Sequence, residues 1–502
     1  MTVASPTAAA FKSAEQAVLH RAVHEAREAQ RAWETQSVRL RSQVIGRVSG
    51  VIAARAEEFC RQVTIPQRRS RAETLSAELI PLAAAGCWLQ KHARSLLSPR
   101  SPSHGRTPLW RWGSRAKIAR RPHGVVLVVG PFNFPLLLSG VPTAQALVAG
   151  NAVILKPAPG TEAAIASLVT AFYDAGVPRP LLHCITGGGE VARLAIECGV
   201  DLIVLTGSSQ TGRAVLRGAA EHLTPAIVEL SGCDGMFVLP GADRRLVADA
   251  VRFGLQLNSG ATCIAPRRML VEASMLPAIT DDLKQVVEGL TIPLAVHPPA
   301  VESLIEKVED ALRRGARILP DGGWCSEELR ETRRMRPIVL LGCQPDWPIA
   351  AADLFAPVLS VIACVDPPAM LTADRCCPYA LGASVFGPRK IAADFADRLP
   401  AGSVTINDLI APTADPRLPF GGCRESGFGS TRGAEGLLAM TRPQVVVQHR
   451  FGPRFHLQPA DPSDGEFLDG VLRVQYGSRW RDRWRGLTSL IRAARKRGGA
   501  DR

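Results

Sequence analysis

Val125-Val126-Leu127-Val128-Val129-Gly130-Pro131-Phe132-Asn133-Phe134-Pro135 decides the fold. Its first five residues are apolar on both faces, as in a strand covered from both sides of a sheet. The Gly-Pro turn stops that strand, and the composition beyond it predicts a helix over about 136–149. The same unit then recurs. Ala152-Val153-Ile154-Leu155 ends in Lys156-Pro157, and a strand near 181–185 ends in Gly187-Gly188-Gly189. Leu202-Ile203-Val204-Leu205 ends in Thr206-Gly207-Ser208-Ser209, and a strand at 226–230 closes the set. Helices over 161–175, up to Cys198 and over 211–221 separate these strands. Strands alternating with helices of this length imply a parallel sheet covered on both faces. Ligands bind at the carboxyl ends of such strands. The polar and glycine-rich turns with Asn133, Lys156, Gly187 and Gly207-Ser208 all fall there.

The second half repeats the style. Residues 237–239, 269–271, 338–341, 358–365 and 404–406 read as strands, followed by a glycine-rich loop at 418–429. Upstream, residues 9–62 read as helix with Trp33 turned inward, and a second helix is expected over 72–97. Between them and the sheet, residues 107–121 alternate apolar and basic side chains, including Trp110, Trp112, Lys117 and Ile118. That pattern suits an exposed strand able to pair with another subunit, or a basic surface hairpin.

With 502 residues the chain exceeds one compact core. Half of the net charge of +14 lies in residues 477–502, where nine Arg/Lys face two Asp, so the body is only mildly basic and no nucleic-acid partner is expected. The twelve cysteines show neither C-x-x-C nor a zinc spacing, so no metal site is expected. No signal peptide and no run of 18 apolar residues is seen, and free thiols suit a reducing cytoplasm. A linker is expected over 452–466. Beyond it Trp480, Trp484, Leu487 and Ile491 share one helical face among arginines. This basic amphipathic helix over 479–497 is weakened by Gly486; it suits an anionic membrane surface, an acidic partner, or packing on its own body.

Chemistry gathers around Asn258-Ser259-Gly260-Ala261-Thr262-Cys263-Ile264-Ala265-Pro266. Small neighbours let a substrate approach the Cys263 thiol, and a helix terminus or nearby dipoles would favour the thiolate. Glu229 ends an apolar strand, where a carboxylate of moderately raised pKa could take a proton from water. A structural cysteine and a structural ion pair are the plainer readings of each residue alone. The Asn133 amide could donate to an oxyanion, or simply make an Asx-type turn. Lys156 could meet ribose hydroxyls or phosphate. Gly207, Ser208 and Gly212 open a helix whose free N–H groups favour phosphate, though they form no G-x-G-x-x-G.

Together, and in order, these stretches resemble the NAD(P)-dependent aldehyde dehydrogenase superfamily over about residues 15–450. Pro131-Phe132-Asn133-Phe134-Pro135 is similar to its P-W-N-F-P region, Glu229-Leu230-Ser231-Gly232 to E-L-G-G, and Gly260-Ala261-Thr262-Cys263 to G-Q-x-C. Residues 150–158, 206–212, 353–358 and 419–429 match further motifs, and the wording around Cys263 leans to the class 3-like branch. The resemblance implies an α/β fold with two Rossmann-like parallel-sheet domains and a small oligomerisation arm. Residues 10–105 and 122–229 would bind the cofactor, 230–442 would form the catalytic domain, and strands at 106–121 and 443–450 would join a homodimer or homotetramer. Residues 451–502 would form the linker and tail. It implies that Cys263 attacks an aldehyde, the Asn133 amide and the Cys263 N–H hold the oxyanion, and Glu229 activates water to release the acid. NAD or NADP would meet Lys156, Gly207, Ser208, Gly212, Leu230, Asp353 and Phe355. A coenzyme A-acylating enzyme is the alternative, disfavoured by Glu229. A catalytically weak binding protein is another. Four departures stand out: Pro159 replaces a ribose-binding carboxylate, Asp353 a glutamate, Cys233 a lysine and Ala261 a glutamine.

Overall fold

The computed structural model describes residues 8–65, 69–102, 113–451, 454–457, 459 and 462–499. The chain divides into two compact units, one of residues 1–97 and 121–442 and one of residues 98–120 and 443–502.

The larger unit carries two sheets. The first has six strands in the order Gly427–Phe428, Ala226–Glu229, Leu202–Thr206, Val125–Val129, Ala152–Lys156, Leu182–Cys184. All neighbours are parallel except the first pair. The second has seven, Arg317–Leu319, Ile338–Leu341, Val358–Cys364, Pro266–Glu272, Asp234–Val238, Gly382–Phe386 and Ser403–Ile406, with only Arg317–Leu319 antiparallel. The α/β, parallel-sheet expectation therefore holds in both halves. Strand Val125–Val129 is buried at every position, as its unbroken apolar run requires.

Some details differ from the sequence reading. The stretch over 9–62 is three helices, Ala8–Glu34, Val38–Ala54 and Ala56–Gln62; Ser37 caps the second by accepting from the Leu40 N–H. Trp33 does turn inward, donating its indole N–H to the Leu147 carbonyl at 2.8 Å. Two strands of the second sheet were not anticipated, Arg317–Leu319 at one edge and Gly382–Phe386 next to the other edge, where Gly-Ala-Ser carries little β-propensity. The glycine-rich loop contributes Gly427–Phe428 to the edge of the first sheet, and Leu437 and Met440 join that sheet's core.

In the smaller unit, strand Ser114–Pro122 pairs with Thr441–His449. Trp110 and Trp112 lie outside the described residues, while Val445, Val446 and Val447 are exposed. The linker expected over 452–466 gives way to helix Asp464–Tyr476, which packs against Trp480–Gly499. Gly486 is a contact point in that hairpin: a Cβ there would sit 2.9 Å from the Gly470 carbonyl oxygen.

Candidate active site

The Cys263 loop is shaped by its backbone. Asn258, Ser259 and Gly260 all take positive φ, at 50°, 58° and 73°. Gly260 has no alternative, since a Cβ would meet the Ala356 carbonyl carbon at 2.6 Å. Two non-glycine residues in this region store strain, which persists only where surroundings hold it. Here the surroundings are specific. Asn258 donates through Nδ2 to the Asn133 carbonyl at 2.9 Å and the Ala261 carbonyl at 3.2 Å. Its N–H donates to Glu73 Oε1 at 2.6 Å. Arg267, fully buried, reaches back to the carbonyls of Gly260 at 2.5 Å and Thr262 at 3.2 Å.

The Asn133 turn has its own support. Helix Pro135–Ala149 begins two residues later, with Pro135 in its first turn. Its leading N–H groups, on Leu136 and Leu137, donate to Glu78 Oε2 at 2.6 and 3.1 Å. Glu78 is itself ion-paired with Arg69, both side chains fully buried, and the Arg69 guanidinium stacks over Phe134. Asn133 is buried at 2% exposure, beside the Cys263 loop through the Asn258 bond.

Glu229 ends its strand as expected and is buried. Thr431 donates to its Oε2 at 3.4 Å and Thr206 at 3.5 Å, while Oε1 is buried with no partner among the described residues. Burial raises its pKa; the Arg432 charge and the two hydroxyls oppose that. Cys263 differs from the thiolate-favouring setting its sequence suggests. Burial first, then the charges of Glu229, Asp234 and Asp353, push the thiol well above the usual range, with Arg432 opposing. Among the carboxylates, Glu229 contributes most to that rise.

Arg432 is the residue the sequence did not single out. It is buried at 8% exposure, takes φ 61°, donates to the Thr413 carbonyl at 2.6 Å and lies 4.7 Å over the Phe420 ring. Phe420 packs in one cluster with Ile264, Leu381 and Cys263. Burial lowers the Arg432 pKa, and the charges of Glu229 and Cys263 raise it. Arg432 also lines a narrow, largely apolar crevice with Trp88, Leu89, Leu137 and Val141, with room for about one water molecule. Position alone hid it, since it lies three residues past the glycine-rich motif.

Of the residues expected to meet the cofactor, Lys156 and Gly207-Ser208 lie at or just past strand ends, while Asp353 and Phe355 lie in the loop before Val358–Cys364. Lys156 is buried at the end of Ala152–Lys156, its pKa lowered by desolvation. Ser208 caps helix Ser209–His222 by accepting from the Thr211 N–H at 3.1 Å, and Gly207 precedes it. Gly212 serves packing, because a Cβ there would lie 2.6 Å from Leu230 Cδ2. Asp353 is raised to about 7 by burial, against Arg267, the Ser231 hydroxyl and the N–H groups of Phe355 and Gly232; its Oδ1 has no partner among the described residues. Phe355 takes φ 43° and its ring is 5.7 Å from Phe132. A buried carboxylate oxygen without a donor, a desolvated ammonium and a helix N-terminus suit ribose hydroxyls and a pyrophosphate.

The aldehyde dehydrogenase family model matches residues 3–446, so the chain belongs to the aldehyde dehydrogenase family, a family of oxidoreductases. It is 29% identical over 481 residues to a 4,4'-diapolycopene aldehyde oxidase from Methylomonas sp, covering 93% of this chain and 89% of that protein. It is 29% identical over 423 residues to a 4,4'-diapolycopene-4,4'-dial dehydrogenase from Cytobacillus firmus, covering 82% and 90%. An NAD-dependent aldehyde dehydrogenase from Sinorhizobium meliloti superposes with a TM-score of 0.80 at 25% identity, covering 88% of this chain and 89% of that one.

Proposed function

We propose that this enzyme oxidises an apolar aldehyde to its carboxylic acid through a covalent intermediate on Cys263. The observation that carries the reading is the grouping of half-buried Cys263 with buried Glu229 and the buried Asn133 turn, with Glu229 Oε1 unpartnered among the described residues. NAD or NADP is the cofactor; its nicotinamide, when bound, supplies the hydride acceptor. The Glu229 carboxylate takes the thiol proton as Cys263 sulfur bonds to the aldehyde carbon. The Asn133 amide and the Cys263 N–H hold the oxyanion of the resulting thiohemiacetal. Departure of the hydride leaves a thioester on Cys263. Glu229, having released its proton, then takes one from water; the hydroxide attacks the thioester carbon, the carbon–sulfur bond breaks, the acid is released and the Cys263 thiolate regains a proton from Glu229. Lys156, Ser208 and Asp353 hold ribose and pyrophosphate, and Phe355 and Leu230 flank the same side.

The names of the two carotenoid-aldehyde relatives support an apolar substrate. All twelve cysteines are free thiols, in keeping with a cytoplasmic setting. The exposed valines of Thr441–His449 support pairing of this arm with a second copy. A panel of short, long and polyene aldehydes, with NAD or NADP and with or without coenzyme A, tests the reading by reduced-cofactor absorbance. Coenzyme A-dependent turnover would instead make it an acylating enzyme. Silence on every aldehyde would favour a binding role.

A further inference from the structure

The C-terminal hairpin carries apolar surface that its own packing leaves uncovered. Helix Asp464–Tyr476 and helix Trp480–Gly499 meet closely at Gly470 and Gly486; a Cβ on Gly470 would lie 2.8 Å from Leu490 Cγ. That contact is made by glycines and small or partly buried residues. Away from it, Leu468, Leu472 and Tyr476 repeat every four residues along the first helix and remain 59–64% exposed. On the second helix Trp480, Trp484, Leu487 and Ile491 follow at spacings of 4, 3 and 4, and remain 41–68% exposed. Isolated exposed apolar residues are ordinary, but two continuous stripes ending in aromatic rings are not.

The surrounding charge selects the occupant. Arg481, Arg483 and Arg485 alternate with the tryptophans and are exposed. Arg492 and Lys496 pair with Glu466 across the hairpin, and Arg473 with Asp469, so the hairpin's acids are largely engaged internally. The remaining field is positive. Tryptophan and tyrosine interleaved with arginine suit the depth where acyl chains meet headgroups, with rings at the boundary and guanidinium groups on phosphates. No helix among the described residues is long and apolar enough to cross a bilayer, so insertion would be shallow.

We propose that the hairpin of residues 464–499 docks the enzyme on an anionic lipid surface, through Trp480, Trp484, Leu487 and Ile491 with Arg481 and Arg485. Lipid binding is read without turnover, so its failure and failure of the catalytic reading are separate results.

Flotation of the full-length protein with vesicles tests it. The protein should float with phosphatidylcholine containing about 30% phosphatidylglycerol, and the bound fraction should fall about tenfold on pure phosphatidylcholine or at about 0.5 M salt. Trp480→Ser with Trp484→Ser should abolish flotation while leaving aldehyde oxidation in solution unchanged. Arg481→Gln and Arg485→Gln should each weaken binding about fivefold. Failure of the wild type to float on the anionic vesicles would overturn the proposal, as would flotation of the tryptophan variant equal to wild type. So would dissociation of an assembled wild type by the same variant in light scattering, which would make the face a contact between copies.

Discussion

The side-chain amide of Asn258 donates a 2.9 Å hydrogen bond to the main-chain carbonyl of Asn133, joining the Cys263 loop to the Asn133 turn across 125 residues of sequence. In the proposed mechanism this ties the strained Cys263 loop to the residue whose amide would stabilise the developing charge. Positioning of this kind affects the chemical step more than binding, because small misplacements of reacting groups are costly. Asn258→Ala should lower kcat about 10–100-fold with little change in cofactor KM. Steady-state kinetics check this; an unchanged kcat would remove the bond from the mechanism.

Arg432 bears on both Glu229 and Cys263 and lowers the pKa of each. Asp234 and Asp353 act on Cys263 in the opposite sense, and Thr431 and Thr206 assist Arg432 at Glu229. Removing the positive charge lets both pKa values rise. Activity depends on the deprotonated forms, so the rising limb of the pH–rate profile should move to higher pH in Arg432→Gln. Arg432→Lys should restore much of it. Iodoacetamide alkylation of Cys263 against pH gives an independent readout, expected to shift in the same direction.

Glu78 anchors the start of the helix that follows the Asn133 turn, with Arg69 as its buried partner. Breaking a buried pair leaves an uncompensated charge, so Glu78→Ala should cost about 3–5 kcal/mol of stability. Denaturant unfolding measures it. An effect below about 1 kcal/mol, ordinary for an exposed pair, would contradict the packing described.

Buried Asp234 and Asp353 are raised to about 8 and about 7, each chiefly by burial. In the unfolded chain both ionise near pH 4. Between those limits the native state holds protons the unfolded state has released, so these groups make stability fall as pH rises from about 4 to about 8. Asp234→Asn removes one such group. Its stability relative to wild type should therefore improve across that window, by an amount on the order of a few kcal/mol at the upper end. Thermal unfolding at several pH values shows whether the two profiles diverge in that direction.

Much of this was legible in the chain. Val125–Val129 reads as a doubly buried strand because nothing polar interrupts it, and Glu229 stands out as a carboxylate closing an apolar run. The first sheet followed from repetition of that unit. Strand Gly382–Phe386 escaped because its small residues are selected by neighbours on either side, which only the assembled sheet reveals. Glu73 and Glu78 look like helix-surface charges, yet they turn inward to Asn258 and to Leu136 and Leu137. Such ties span 58 to 185 residues and leave no local periodicity. Arg432 escaped similarly, since its role depends on Phe420 and Glu229 folding against it.

The division of labour between Cys263 and Glu229 is tested most directly by Glu229→Gln under single-turnover conditions. The expected result is one equivalent of reduced cofactor per site, followed by a stall, with intact-protein mass raised by one acyl group and peptide mapping placing it on Cys263. Hydroxylamine should release that group. Continuous turnover at the wild-type rate, or an acyl group on any residue other than Cys263, would contradict the mechanism.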